Sequence, residues 1–87
     1  HNMSYFTFEH DCSNAPLTLT IEVEYSIYNF SGNYYEPAET SVKDHKTKFI
    51  CGGMDLTTCI MNSKNDKLIA ELEEAIIDAI WENEDNQ

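Results

Sequence analysis

Arginine is absent from this 87-residue chain, and its five cations are all lysines: Lys43, Lys46, Lys48, Lys64 and Lys67. Without a guanidinium there is no planar fork to grip a phosphate or carboxylate through two parallel hydrogen bonds. Those five cations face sixteen carboxylates, for a formal net charge of -11. Unaided binding to nucleic acid or to an anionic membrane is therefore opposed electrostatically, and neither is expected as a direct partner.

Other shortages are as informative. No apolar run approaches the ~18–20 residues that a membrane-spanning helix needs. No charged-then-apolar leader follows Met3, while His1 and Asn2 read as a cloning remnant before a natural start at Met3. The expectation is a cytoplasmic protein. Three cysteines, Cys12, Cys51 and Cys59, leave one unpaired under any pairing, which points to reduced thiols. Asn29-Phe30-Ser31 matches a glycosylation sequon but carries no weight without a secretory route. Glycine and proline are scarce, at three and two residues, so the points where the chain can break are few.

What is present is enough for one core. Five tyrosines, four phenylalanines and one tryptophan sit within a 41% apolar composition, too hydrophobic for a disordered chain. At this length, residues 1–87 form one domain of modest stability.

From Met3 to His10, Phe6 and Phe8 alternate with Tyr5, Thr7 and Glu9, which predicts a strand. Asp11 to Pro16 is dense in turn formers and reverses the chain. From Leu17 to Ile27 the alternation is strict: Leu17, Leu19, Ile21, Val23, Tyr25 and Ile27 share one face. Glu22 and Glu24 lie on the other. That pattern predicts a long strand, buried on one face and wet on the other, in an antiparallel hairpin with the first. Ser31 to Thr40 reads as a loop because Gly32-Asn33 and Glu36-Pro37 interrupt pairing. Ser41 to Cys51 returns to strand, best from Lys46, and Gly52-Gly53 makes a tight turn. Met54 to Ile60 fits either a short fourth strand or a helical turn capped by Asp55.

The C-terminal helix is the clearest helical signal. Ser63 is a suitable N-cap with Asp66 three residues on. Leu68, Ile69, Leu72, Ala75, Ile76, Ala79 and Ile80 recur at helical spacing, widened by Ile77 and Trp81. The spacing predicts a helix from about Lys64 to Glu82, with 83–87 as a frayed acidic tail. The expected fold is α+β: an antiparallel sheet of three or four strands with the one C-terminal helix packed on its apolar face.

Catalytic and metal-binding patterns are weak. Glu22 and Glu24 are two residues apart on a strand, but a carboxylate pair for acid–base work also needs a cleft around it. His10, Cys12, His45, Cys51 and Cys59 are the candidate zinc ligands, but His10-x-Cys12 and Cys51-x7-Cys59 do not have the C-x2–4-C or H-x3–5-H spacing of structural zinc sites. The ordinary reading of Cys51 and Cys59 is burial as small hydrophobes. Gly52-Gly53 lacks the spacing and lysine of a phosphate loop. No catalytic residue, metal ligand set or cofactor is expected.

The charge pattern carries more. After Lys67 every ionised side chain is acidic: Glu71, Glu73, Glu74, Asp78, Glu82, Glu84 and Asp85. Carboxylates at a helix C-terminus oppose the macrodipole by a few tenths of a kcal/mol each. Solubility explains such a run, and so does an anionic strip for a basic partner. Glu22, Glu24, Glu36 and Glu39 extend the anionic set. Tyr34 and Tyr35 in the loop are candidate interface anchors, since exposed aromatics commonly fill that role, and a ring folded back over the sheet edge fits the sequence equally well.

Four segments in this order resemble small uncharacterised proteins of tailed bacteriophages and prophages. They are an alternating Glu-bearing strand (LTLTIEVEYSIYNF), a Tyr/Pro/Glu loop (GNYYEPAE), a Gly-x-Asp-Leu-Thr step (GMDLT) and an acidic terminal helix (ELEEAIIDAIWENED). The resemblance implies an accessory protein of the anti-CRISPR and anti-defence kind, working inside the host cell, and it transfers no catalytic residue. The resulting expectation is a non-enzymatic inhibitor. Its acidic surface would occupy the basic, nucleic-acid-binding surface of a protein partner, through Glu22, Glu24, Tyr34, Tyr35, Glu36, Glu39, Glu71, Glu74, Asp78, Glu82, Glu84 and Asp85. The alternative is a small structural or assembly protein acting through a sheet edge or the helix, with homodimerisation as one form.

Overall fold

The computed structural model describes residues 3–87, so His1 and Asn2 lie outside the described residues. The fold is α+β: a four-stranded antiparallel sheet in the order β1-β2-β3-β4, with a C-terminal helix on one face. The strands are β1 (Ser4–Asp11), β2 (Thr18–Phe30), β3 (Glu39–Cys51) and β4 (Met54–Asp55), followed by α1 (Thr57–Met61) and α2 (Asp66–Asp85).

Alternation along β2 decides which face is covered. Leu19, Ile21, Val23 and Tyr25 are buried and meet Leu68, Leu72, Ile76 and Ile80 of α2, with Phe49 and Ile60 completing the core. Burying such side chains contributes roughly 1.5–3 kcal/mol each. Phe6 of β1 stacks on Phe8, their centroids 6.0 Å apart, and meets the Tyr25 ring edge-on at 5.8 Å. No described element covers the opposite face of the sheet.

Gly52 and Gly53, at φ 57° and 83°, close the β3–β4 turn in the left-handed conformation that a two-residue hairpin favours. Met54 to Ile60 then contains both of the expected alternatives in succession: the two residues of β4, then the start of α1. Asp55 accepts hydrogen bonds from the Thr57 amide at 2.9 Å and from its hydroxyl at 2.6 Å, anchoring that junction. Because α1 turns Ile60 inward, Cys59 faces solvent and is not buried as expected, while Cys51 is half-buried.

Helix α2 departs from expectation at both ends. Lys64 adopts a left-handed φ of 59°, which breaks the path from α1, so the N-cap is Asn65 and not Ser63. The Asn65 side chain accepts from the Leu68 amide at 3.1 Å, while Ser63 Oγ donates to the Ile60 carbonyl at 2.7 Å. At the other end α2 continues to Asp85, through most of the expected frayed tail. Asn83 and Glu84 bond to the hydroxyl of Tyr25, and that contact fixes the last turn to the sheet.

Strands β2 and β3 outrun the helix. Asn65 lies against Asn14 of the β1–β2 turn, and the far end of α2 lies at Tyr25, so α2 runs the same way as β2. Beyond Tyr25, residues Ser26–Phe30 pair with Glu39–Asp44 as a two-stranded arm. A bulge between Ser26 and Ile27 shifts the register at the base of the arm and sharpens its twist. The molecule is accordingly long and thin, 49 × 25 × 19 Å. Among the described residues no helix is long and apolar enough to cross a membrane.

Candidate functional site: an acidic helix flank and a tyrosine-tipped arm

The twelve residues expected to meet a partner do not form one surface. Glu22 and Glu24 lie on the uncovered sheet face, directly opposite Lys48 and Lys46 of β3. With Tyr5 they line a shallow depression of about 690 Å³. Two carboxylates facing two ammonium groups make this face mixed in charge, so the anionic character expected of Glu22 and Glu24 is locally offset. The signal was legible in the alternation of lysines in β3. What composition could not give was the register that sets each lysine against a glutamate.

Two acidic residues of α2 are engaged within the chain. Glu84 accepts from the Tyr25 hydroxyl. Burial, and then this carboxylate, push the Tyr25 phenol above its ordinary pKa, keeping it a neutral donor. Glu71 is bound more extensively. Its Oε1 accepts from the Ser13 amide at 3.1 Å, the Asn14 amide at 3.0 Å and Asn14 Nδ2 at 2.9 Å. Its Oε2 accepts from the Ser13 amide at 2.9 Å and lies 2.6 Å from His10 Nε2. The Ser13 amide, then His10 and Asn14, hold the carboxyl down at a pKa of about 2. Glu71 thus ties the β1–β2 turn to α2. Both carboxylates are engaged within the chain, Glu71 through both oxygens and Glu84 through Oε2.

Of the residues expected to meet a partner, Glu74, Asp78, Glu82 and Asp85 are exposed on α2; Glu73 is exposed too, on the side of the helix that faces β3. Glu74, Asp78 and Glu82 recur at four-residue steps, which stacks them along one flank of the helix. That flank lies over β1. One depression of about 570 Å³ there is lined by His10, Asn14, Lys67, Glu74 and Asp78. A second, of about 380 Å³, is lined by Phe6, Phe8, Glu9, Glu82 and Asn83. Strand β1 is the outer strand of the sheet on that side, so its far edge carries unpaired backbone groups beneath the acidic flank.

At the opposite end of the fold, Tyr34 and Tyr35 cap the arm and are 93% and 87% exposed, as the loop composition suggested. Their rings meet edge to face, with centroids 5.0 Å apart. The tip is held from within. Asn33 Oδ1 accepts from the amides of Tyr35 and Glu36, both at 2.8 Å, and its own amide donates to the Glu36 carbonyl at 2.9 Å. Gly32, at φ +89°, has Ala38 N only 2.8 Å from where a Cβ would stand. Glu36 and Glu39 are exposed beside the tyrosines. Lower on the arm, Lys43 Nζ lies 5.5 Å from the centre of the exposed Tyr28 ring, within cation–π range.

One convergence joins His10 and Cys12, set aside as a zinc pair on spacing alone, to Glu71, one of the residues expected to meet a partner. His10, Cys12 and Glu71 bring an imidazole nitrogen, a thiol and a carboxylate oxygen within 4.8 Å of one another. His10 and Cys12 are two apart on an extended chain and so share a face. Glu71 is 61 residues from His10, and no local spacing could reveal it.

No protein-family model, curated protein or solved structure matches this chain.

Proposed function

We propose that this chain is a non-enzymatic binding protein that holds a basic surface of a protein partner along the outer flank of α2. The observation that carries the reading is the row Glu74, Asp78, Glu82 and Asp85. These four are exposed on the helix, while Glu71 and Glu84 beside them bond within the chain. Along a helix, four-residue steps place a charge about every 6 Å. A nucleic-acid strand carries one about every 3.4 Å. The row is thus a sparse anionic ridge and not a close copy of a phosphate backbone, suited to a basic groove of the type that holds nucleic acid. An inhibitor of the anti-defence kind, occupying such a groove, is the specific form of the proposal. Tyr34 and Tyr35 supply an aromatic anchor whose ordering cost is already met by Asn33.

Retention of the partner from a lysate of the host cell, measured against salt, tests this reading. Charge-driven capture weakens as ionic strength rises past physiological levels. The triple variant Glu74→Lys/Asp78→Lys/Glu82→Lys abolishes it. Capture that ignores both salt and charge reversal rules the proposal out.

The open edge of β1 supports a second reading, assembly through strand addition, with a second copy as the simplest partner. Light scattering over a concentration series distinguishes the two, since a concentration-dependent mass supports assembly.

A further inference from the structure

We propose that His10, Cys12 and Glu71 form a binding site for one zinc ion, which clips the β1–β2 turn to helix α2.

The donor set comes first. Imidazole nitrogen, thiolate sulfur and carboxylate oxygen together are the ligands of a borderline-soft cation such as zinc. Their three donor atoms lie within 4.8 Å of one another. Around tetrahedral zinc, with bonds of about 2.0–2.3 Å, ligand atoms sit roughly 3.3–3.6 Å apart. The pair His10 Nε2 and Glu71 Oε2, now at 2.6 Å, needs only to open slightly. The thiol, within 4.8 Å of both, has to close toward them, on a backbone held by the Cys12 amide bond to the Leu17 carbonyl at 2.9 Å.

Support around the ligands is also in place. Metal-bound carboxylates and imidazoles are characteristically oriented by hydrogen bonds from a surrounding shell. Oε1 of Glu71 accepts from the Ser13 and Asn14 amides and Asn14 Nδ2, while Oε2 shares the Ser13 amide and lies toward His10. The His10 and Glu71 side chains are 21% and 15% exposed, so a cation can enter but is shielded from bulk water. The depression lined by Glu74 and Asp78 opens at this point and gives access for water as a fourth ligand.

The coordinated forms are an imidazole bound through Nε2 with its proton on Nδ1, the Cys12 thiolate and the Glu71 carboxylate, so the Cys12 thiol proton passes to solvent on binding.

The test uses the full chain, stripped with a chelator and dialysed against zinc, with elemental analysis of the retained metal. Cobalt(II) then serves as a spectroscopic probe for a thiolate ligand. One zinc per chain is expected, together with a cobalt–thiolate charge-transfer band. Cys12→Ser abolishes that band, and Cys12→Ser and His10→Ala weaken zinc binding about tenfold or more, by analogy with losses at metal-site partners. Cys51→Ser and Cys59→Ser leave both signals unchanged, as does Glu74→Gln/Asp78→Asn, which isolates the site from weak surface carboxylates. Circular dichroism of each stripped variant shows that the fold persists. The proposal is overturned if the folded wild-type chain retains no zinc. It is also overturned if Cys12→Ser binds as wild type does, or if loss follows Cys51 or Cys59 in place of Cys12.

Discussion

The hydroxyl of Tyr25 donates to the carboxylate of Glu84 and accepts from Asn83 Nδ2 at 2.8 Å, joining the middle of β2 to the last turn of α2. The Tyr25 ring is fully buried, so this hydroxyl needs partners that only the helix end supplies. A glutamate against the negative end of the helix dipole is mildly unfavourable by itself, and the buried phenol offsets that cost. Tyr25→Phe should destabilise the fold by about 1–3 kcal/mol, the range for a hydrogen bond to a charged group. Glu84→Gln should cost less, because an amide oxygen still accepts. Urea unfolding of the two single variants and the double variant checks this: the effects should fall short of additive. Full additivity would show that the two groups act independently.

Glu71 makes a pH-dependent contribution to stability. Its folded pKa, about 2, lies below the ordinary 4.5, chiefly through the Ser13 amide, then His10 and Asn14. A carboxyl whose pKa is depressed by folding stabilises the fold fully above its unfolded value. That contribution is lost as pH falls from about 4.5 toward 2. Glu71→Gln should therefore lower the unfolding midpoint of the metal-free chain at pH 6 and have much less effect near pH 2.5. Thermal unfolding at the two pH values, side by side with wild type, reads the difference. An equal loss at both would mean that shape, and not charge, is what Glu71 contributes.

These two contacts mark where the chain's local pattern stops being informative. The buried face of β2, the hairpin with β1, the Gly52-Gly53 turn and the apolar stripe of α2 follow from periodicity, because each is decided by neighbours a few residues away. The helix boundaries are not. Ser63 is as good an N-cap by composition as Asn65, and only the left-handed Lys64 between them selects the second. The acidic run of α2 reads as one strip, yet Glu71 and Glu84 are bonded to partners 58 and 59 residues away. Which carboxylates remain free is thus a tertiary property. The same holds for His10, Cys12 and Glu71, whose convergence crosses from one strand to the helix. Tyr34 and Tyr35 lie at the other extreme: their exposure follows from the turn that Gly32 and Asn33 make beneath them.

Two backbone positions with positive φ predict stability changes of opposite sign. Gly32→Ala places a Cβ 2.8 Å from Ala38 N at φ +89°. Strain of the left-handed kind costs about 1–2 kcal/mol, and the close backbone contact adds to it. Lys64→Gly acts in reverse, since glycine relieves the φ of 59°. Greater freedom in the unfolded chain takes back part of that relief, leaving a gain of about 0.5 kcal/mol. Denaturant midpoints measured at constant slope decide both. A destabilised Lys64→Gly variant would place the importance of Lys64 in its side chain.

Under the proposed function, stability and binding respond to the charge of Glu82 in opposite directions. It is exposed in the last turn and a half of α2, four residues after Asp78. A lysine there complements the helix dipole and forms an acid-to-lysine pair with Asp78 in the favourable order. Glu82→Lys should therefore raise stability by about 0.5 kcal/mol at low ionic strength, with the gain fading as salt is added. Under the proposed function, the same substitution interrupts the row between Asp78 and Asp85 and weakens capture of a basic partner. Unfolding midpoints and partner retention measured on one preparation give both signs. More stability with less retention supports an anionic ridge kept for recognition at a cost to the helix. More stability with unchanged retention would assign the row to solubility and move the contact surface to the tyrosine-tipped arm.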